Sequence, residues 1–90
     1  MAVRWAFNAR ADLERIWHFH ADRDPDRADA VVAIIEDRAD AQAARPYAAR
    51  IGDIPGTREY LLRDLQYLLI YTIDDDGIFV VRVLSTRERP

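Results

Sequence analysis

Residues 66–74, QYLLIYTID, place apolar side chains on both parities of an extended run, and a strand with that pattern has to be covered on both faces. Asp74, Asp75, Asp76 and Gly77 follow as a turn in which the Asp-Gly pair accepts positive φ, and IFVVRVLST then returns as a second apolar strand. A hairpin this apolar must form the middle of a sheet. With 90 residues to work with, the remainder of the chain has to supply the cover, so one domain spanning residues 1–90 is expected.

The preceding sequence can provide that cover. AVRWAF alternates Val3, Trp5 and Phe7 against Ala2, Arg4 and Ala6, which reads as a short strand. Asn8 is placed to cap a helix whose apolar stripe runs through Ala9, Leu13, Ile16, Trp17 and His20, with Asp12, Glu14 and Arg15 outside it. Asp24 caps a second helix with Pro25 at its first position and Ala28, Val31, Val32, Ile35 and Ala39 as its stripe. Residues 43–57 lose both periodicities and read as a loop, after which REYLLRD is a strand with a tight connection to the next. The expected fold is α+β: a short N-terminal strand, a two-helix hairpin and a three-stranded antiparallel meander, with the helices on one sheet face.

Composition removes several chemistries. There is no cysteine, so disulfides and thiolate metal sites are excluded. All thirteen basic residues are arginine, which leaves no lysine for Schiff-base or general-base work. His18 and His20 stand two apart on a helix and point in different directions, unlike the i, i+4 spacing of a helical metal site. The Asp74–Asp76 acids lack the spaced ligands of a calcium loop. There is no GxGxxG or P-loop, and Ser85 has no base nearby in sequence. Neither a cofactor nor a metal is expected. No uncharged stretch is long enough to span a bilayer and MAVRWAFNARADL lacks the apolar region of a secretory signal, so the expected address is cytoplasmic, without membrane contact.

Charge is unevenly placed. Residues 22–40 carry seven acids against three arginines, whereas the segment from Arg82 to Pro90 is net basic and should be the end that meets an anionic partner. Arg82 stands inside a strand, where a guanidinium costs several kcal/mol to desolvate unless it is paired, and Glu59 on a neighbouring strand is the expected partner. Alternatively the sheet face away from the helices is a working surface, with Arg82 and Arg87 meeting an anion or an acidic protein patch.

The ordered set FNARADLERIWHF, DPDRADAVVAII, IPGTREYLL, YLLIYTI and GIFVVRVLSTRERP resembles the RelE/ParE superfamily of toxins from bacterial type II toxin–antitoxin systems over essentially the whole chain. The resemblance implies a small toxin, a cognate antitoxin that neutralises it in a hetero-oligomer, and contact with DNA only through that antitoxin. The mRNA-cleaving members carry lysines or histidines on the middle strands. Here Glu59 and Leu61 hold those places, Leu68 stands where a middle-strand arginine is expected, and no C-terminal helix or tyrosine follows within the 90 residues. Arg87 matches their terminal arginine and would be the catalytic cation if the chain were a ribonuclease. The departures point to the ParE-like branch, whose studied members act on DNA gyrase, with an mRNA interferase of reduced catalytic set or a degenerate non-toxic binding module as the alternatives; Ser85 stands where that branch usually has a histidine. On this resemblance Arg82, Arg87 and Arg89 are the expected target-binding residues. Trp5, Trp17, Phe19, Tyr47 and Arg58 are the expected antitoxin-binding residues, since a small core does not bury so much aromatic surface.

Overall fold

The computed structural model describes residues 2–87. In chain order it contains β1 (Ala2–Trp5), α1 (Phe7–Ala21), α2 (Pro25–Ala43), a 3₁₀ turn (Pro46–Ala48), β2 (Arg50–Ile51), β3 (Arg58–Leu62), β4 (Tyr67–Asp74) and β5 (Gly77–Ser85). The five strands form one sheet in the order β1-β5-β4-β3-β2, in which β1 runs parallel to β5 and the other neighbours are antiparallel. This is the expected α+β arrangement, extended by β2, which pairs Arg50 with Glu59 and Ile51 with Arg58 inside a segment expected to be loop.

Local chemistry accounts for the element boundaries. The Asp24 carboxylate accepts from the amides of Asp26 (3.1 Å) and Arg27 (3.4 Å) and Pro25 opens α2, so the helix start agrees with the sequence reading. Asn8 does not cap α1. The helix begins at Phe7 and Ala6 occupies the cap position without a side-chain bond, because β1 leads directly into the first turn and the Ala6 amide is held by Val80 O. Gln66 also lies outside β4. It closes the β3–β4 turn with φ of 63°, a left-handed value unusual for a side-chain-bearing residue.

The core lies between the helices and one face of the sheet. Ala9, Leu13 and Ile16 of α1 and Val31, Ile35 and Ala39 of α2 pack on Leu69, Tyr71, Ile78, Val80 and Val83. β4 is buried from Tyr67 through Tyr71 on both parities, as its sequence requires. β5 reaches the core through an irregularity: Ile70 pairs with Arg82 but Tyr71 with Val80, so Val81 is an extra residue. In an unbroken strand Val80 and Val83 would face opposite sides, whereas the bulge lets both be fully buried.

Polar groups in this interior are satisfied. The Tyr71 hydroxyl donates to Pro46 O and accepts from Gln42 Nε2 at 3.0 Å, which fastens the 3₁₀ turn to β4. Burial pushes the Tyr71 hydroxyl pKa above its ordinary value, so it is a neutral donor.

Candidate functional site

The basic end of β5 is organised by a carboxylate from α1. β1 stops at Trp5, leaving the edge of β5 beyond Val80 without a strand partner. Asp12 fills that gap. Its Oδ2 accepts from the Val83 amide at 2.9 Å and from Arg82 Nε at 2.7 Å, while Oδ1 accepts from Arg82 (3.0 Å) and Arg15 (2.9 Å). Helical spacing put Asp12 outside the apolar stripe, yet it is only 4% exposed. Burial pushes its carboxyl upward, and the bonds from Arg82, Val83 and Arg15 overcome that and hold it below the usual carboxylate value.

The expected Arg82–Glu59 bridge does not form. Ile70 on β4 separates the two strands, and Glu59 instead accepts from Arg50 (2.6 Å) and from the Asp53 amide (3.3 Å), closing the loop ahead of β3. Arg82 turns toward the open edge of β5 because the acid that can reach it is there.

Past Ser85 the chain is clamped to the β3–β4 turn. Gln66 O accepts from the Thr86 amide (2.9 Å), and Gln66 Oε1 accepts from Arg87 Nε (3.0 Å). The left-handed backbone of Gln66 allows its carbonyl and side chain to face the end of β5 together. Arg87 thereby stands on the rim of a groove of about 550 Å³, between the second half of α1, the start of α2, the β3–β4 turn and the residues following β5. Ile16, Val31 and Leu65 give the groove apolar walls, and Arg15, Arg27, His20, Tyr67 and Arg87 give it a cationic and hydroxylic lining.

His20 and Tyr67 meet in this groove, with Nε2 2.9 Å from the hydroxyl oxygen. Burial together with the charges of Arg27, Arg23 and Arg87 lowers the His20 pKa, so the ring is neutral at physiological pH. The sequence reading assigned His20 to the apolar stripe and gave Tyr67 no role. Four separated segments build the groove, and no local motif signals it.

The residues expected to contact a partner fall into separate regions. Phe19, 51% exposed, lines the large groove. Trp17 is half-buried, donates to Asp29 at 2.7 Å and lines a second, smaller groove of about 290 Å³ with Leu13 and Val32. Trp5 is half-buried against the core from β1. Tyr47, 69% exposed, stacks under the Arg58 guanidinium at 5.2 Å, and Arg58 also donates to Ala49 O at 3.0 Å. The structure brings none of these other residues beside Arg82 or Arg87. Arg89 lies outside the described residues. Among the described residues no cluster of three His, Cys, Asp or Glu side chains could hold a metal ion, and no helix is long and apolar enough to cross a membrane.

Known proteins share this architecture. A solved chain of the chromosomal ParDE toxin–antitoxin system from P. aeruginosa superposes with a TM-score of 0.82 at 23% identity, covering 92% of each chain. A chain of the intact E. coli RelBE toxin–antitoxin complex superposes with a TM-score of 0.66 at 16% identity, covering 92% of this chain and 93% of that one. In sequence, Y4kP of Sinorhizobium fredii (strain NBRC 101917 / NGR234), named as a candidate toxin, is 39% identical over 74 residues, which is 82% of this chain and 77% of the relative. Residues 3–90 match the family model of the ParE toxin of the type II toxin–antitoxin system parDE. The chain belongs to the ParE toxin family of type II toxin–antitoxin systems.

Proposed function

We propose that this ParE-family protein is a cytoplasmic toxin that inhibits DNA gyrase by binding it, and that a cognate antitoxin neutralises it. The observation that carries the target reading is the cationic end of β5. Asp12 holds Arg82 there as an ion pair and Gln66 fixes Arg87 through its Nε, so both guanidiniums have set orientations and Arg87 is the cation turned to an acidic protein surface. Arg89 follows in the sequence and would add a third. The match to the ParE model over residues 3–90 supports gyrase over RNA.

The antitoxin reading draws on the same family and on the two grooves. Phe19 at one and Trp17 at the other offer aromatic surface to an amphipathic segment, and Trp5, Tyr47 and Arg58 extend the contact around the molecule. A segment long enough to touch all of them would wrap the toxin and order itself on binding.

A second reading has one specific observation in its favour. Cleavage of RNA by its 2′-hydroxyl needs a proton acceptor and a cation at the phosphate. His20, held neutral and hydrogen-bonded to Tyr67, lies in the groove that Arg87 lines, which supplies both. The deciding experiment assays the purified chain for inhibition of gyrase supercoiling and, separately, for cleavage of mRNA being translated. Loss of supercoiling with intact mRNA is the expected result, and cut mRNA with unaffected gyrase would overturn the gyrase reading in favour of the ribonuclease.

A further inference from the structure

We propose that the groove between α1, the start of α2, the β3–β4 turn and the end of β5 is a binding site for a small phosphate monoester of nucleotide size, held by Arg27 and Arg87 beside His20 and Tyr67. The site is the groove that the second reading above uses for an RNA phosphate, and occupation by a small monoester requires neither gyrase nor antitoxin.

Charge compensation is the first argument. The Arg27 guanidinium has no hydrogen-bond or ion-pair partner among the described residues, and Arg87 commits only its Nε, to Gln66. The carboxylate among the described lining residues is engaged elsewhere. Asp64 in the groove wall accepts both terminal nitrogens of Arg38, at 2.7 and 3.1 Å, and Asp12 carries its four donors. Arg27 and Arg87 line the groove together with His20, whose pKa is lowered first by burial and then by the charges of Arg27, Arg23 and Arg87.

The donor set then selects the ligand. Two guanidinium ends, the Ser85 hydroxyl and the Gln66 amide supply more hydrogens than a carboxylate can accept. A phosphate monoester has three terminal oxygens and close to two negative charges at neutral pH, matching two uncompensated arginines. The apolar side formed by Ile16, Val31, Leu65 and Phe19 accommodates the organic body, and about 550 Å³ lies in the range of small-molecule sites.

Occupation would be linked to protonation. A dianion between Arg27 and Arg87 offsets charge that, after burial, holds the His20 pKa down, while Asp64 stays tied to Arg38, so binding raises the His20 pKa and takes up a proton.

The test titrates the purified full chain with adenosine 5′-monophosphate, inorganic pyrophosphate and adenosine, following the His20 ring by NMR. The two phosphates are expected to saturate and to raise the His20 pKa by about one unit or more, while adenosine leaves it in place. Arg27→Gln combined with Arg87→Gln is expected to weaken phosphate binding at least about tenfold, and Arg10→Gln in the smaller groove to leave it unchanged. The proposal is overturned if adenosine 5′-monophosphate does not saturate at millimolar concentration, if adenosine shifts His20 equally, or if a glutamate- and leucine-rich peptide fills the groove and adenosine 5′-monophosphate does not. Should the double variant fail to fold, the His20 pKa of the unaltered chain with and without adenosine 5′-monophosphate decides alone.

Discussion

Asp12 accepts the Val83 amide as a neighbouring strand would, and the same carboxylate neutralises Arg82 one residue earlier. Deleting the acid therefore removes an edge partner for β5 and leaves the cation unopposed. Asp12→Ala is expected to cost about 2–4 kcal/mol, moving the melting temperature by roughly 10–20 °C for a domain of this size. Arg82→Ala should cost less, about 1–2 kcal/mol, because Arg15 and the Val83 amide still serve Asp12. Thermal unfolding by circular dichroism checks both, and equal losses would show that the pair rather than the edge contact governs.

Stability should respond to pH in two separate windows. The folded Asp12 pKa lies below its ordinary 3.8, so its contribution is complete above about pH 5 and drains away as pH falls through the folded value. Exposed Asp64 and Asp74, also lowered by arginine partners, share that acid limb, so Asp12→Asn should shrink it without abolishing it. His20 is lowered from 6.5, which means the unfolded chain binds its proton first and stability declines as pH drops below about 6.5. His20→Asn should flatten this upper limb and leave the acid limb alone. Urea midpoints measured across pH distinguish the two variants.

The helices and the central hairpin were legible because their information is local: a capping aspartate followed by proline, an apolar stripe, and a strand apolar on both parities ending in Asp-Gly. Asp12 was misread for the complementary reason. Periodicity reports which side chains avoid water, and a buried carboxylate whose partners lie on the last strand has no periodic signature. Glu59 looked available to Arg82 only while β2 was hidden, since Arg50 claims it through a two-residue strand too short to show an alternation. The groove was illegible for a similar reason, as its walls are contacts among segments that the sequence keeps apart.

Tyr71→Phe removes a single oxygen from the interior. Pro46 O then loses its donor and Gln42 keeps only the longer bond to Arg45 O at 3.3 Å, so a loss of about 1–2 kcal/mol is expected. A lowered urea midpoint with an unchanged slope is the outcome to look for.

Arg87→Ala with Arg89→Ala should separate activity from folding. The described contact of Arg87 with Gln66 is exposed, so its loss should change stability by less than about 0.5 kcal/mol, while toxicity on induction should fall. Full toxicity from a stably expressed double variant would remove the basic end of β5 from the proposed mechanism.

Gly77 lies against β1. A Cβ there would stand 2.1 Å from Ala2 O, and the residue's φ of 139° is one that other residues resist. Gly77→Ala should detach β1 and destabilise the fold by more than about 3 kcal/mol, visible as lost hydrogen-exchange protection from Ala2 to Trp5.

The parallel pairing of Ala2–Trp5 with Gly77–Val80 also bears on the order in which the molecule can come into being during translation. The first strand emerges early and has to wait for the last, and Asp12 waits likewise for Arg82 and Val83. A ribosome that stalls or terminates before β5 would release a chain with no place for its own beginning. Such fragments should be cleared by proteases, and a harmful activity seated at the end of β5 would come into existence only once β5 itself has been made.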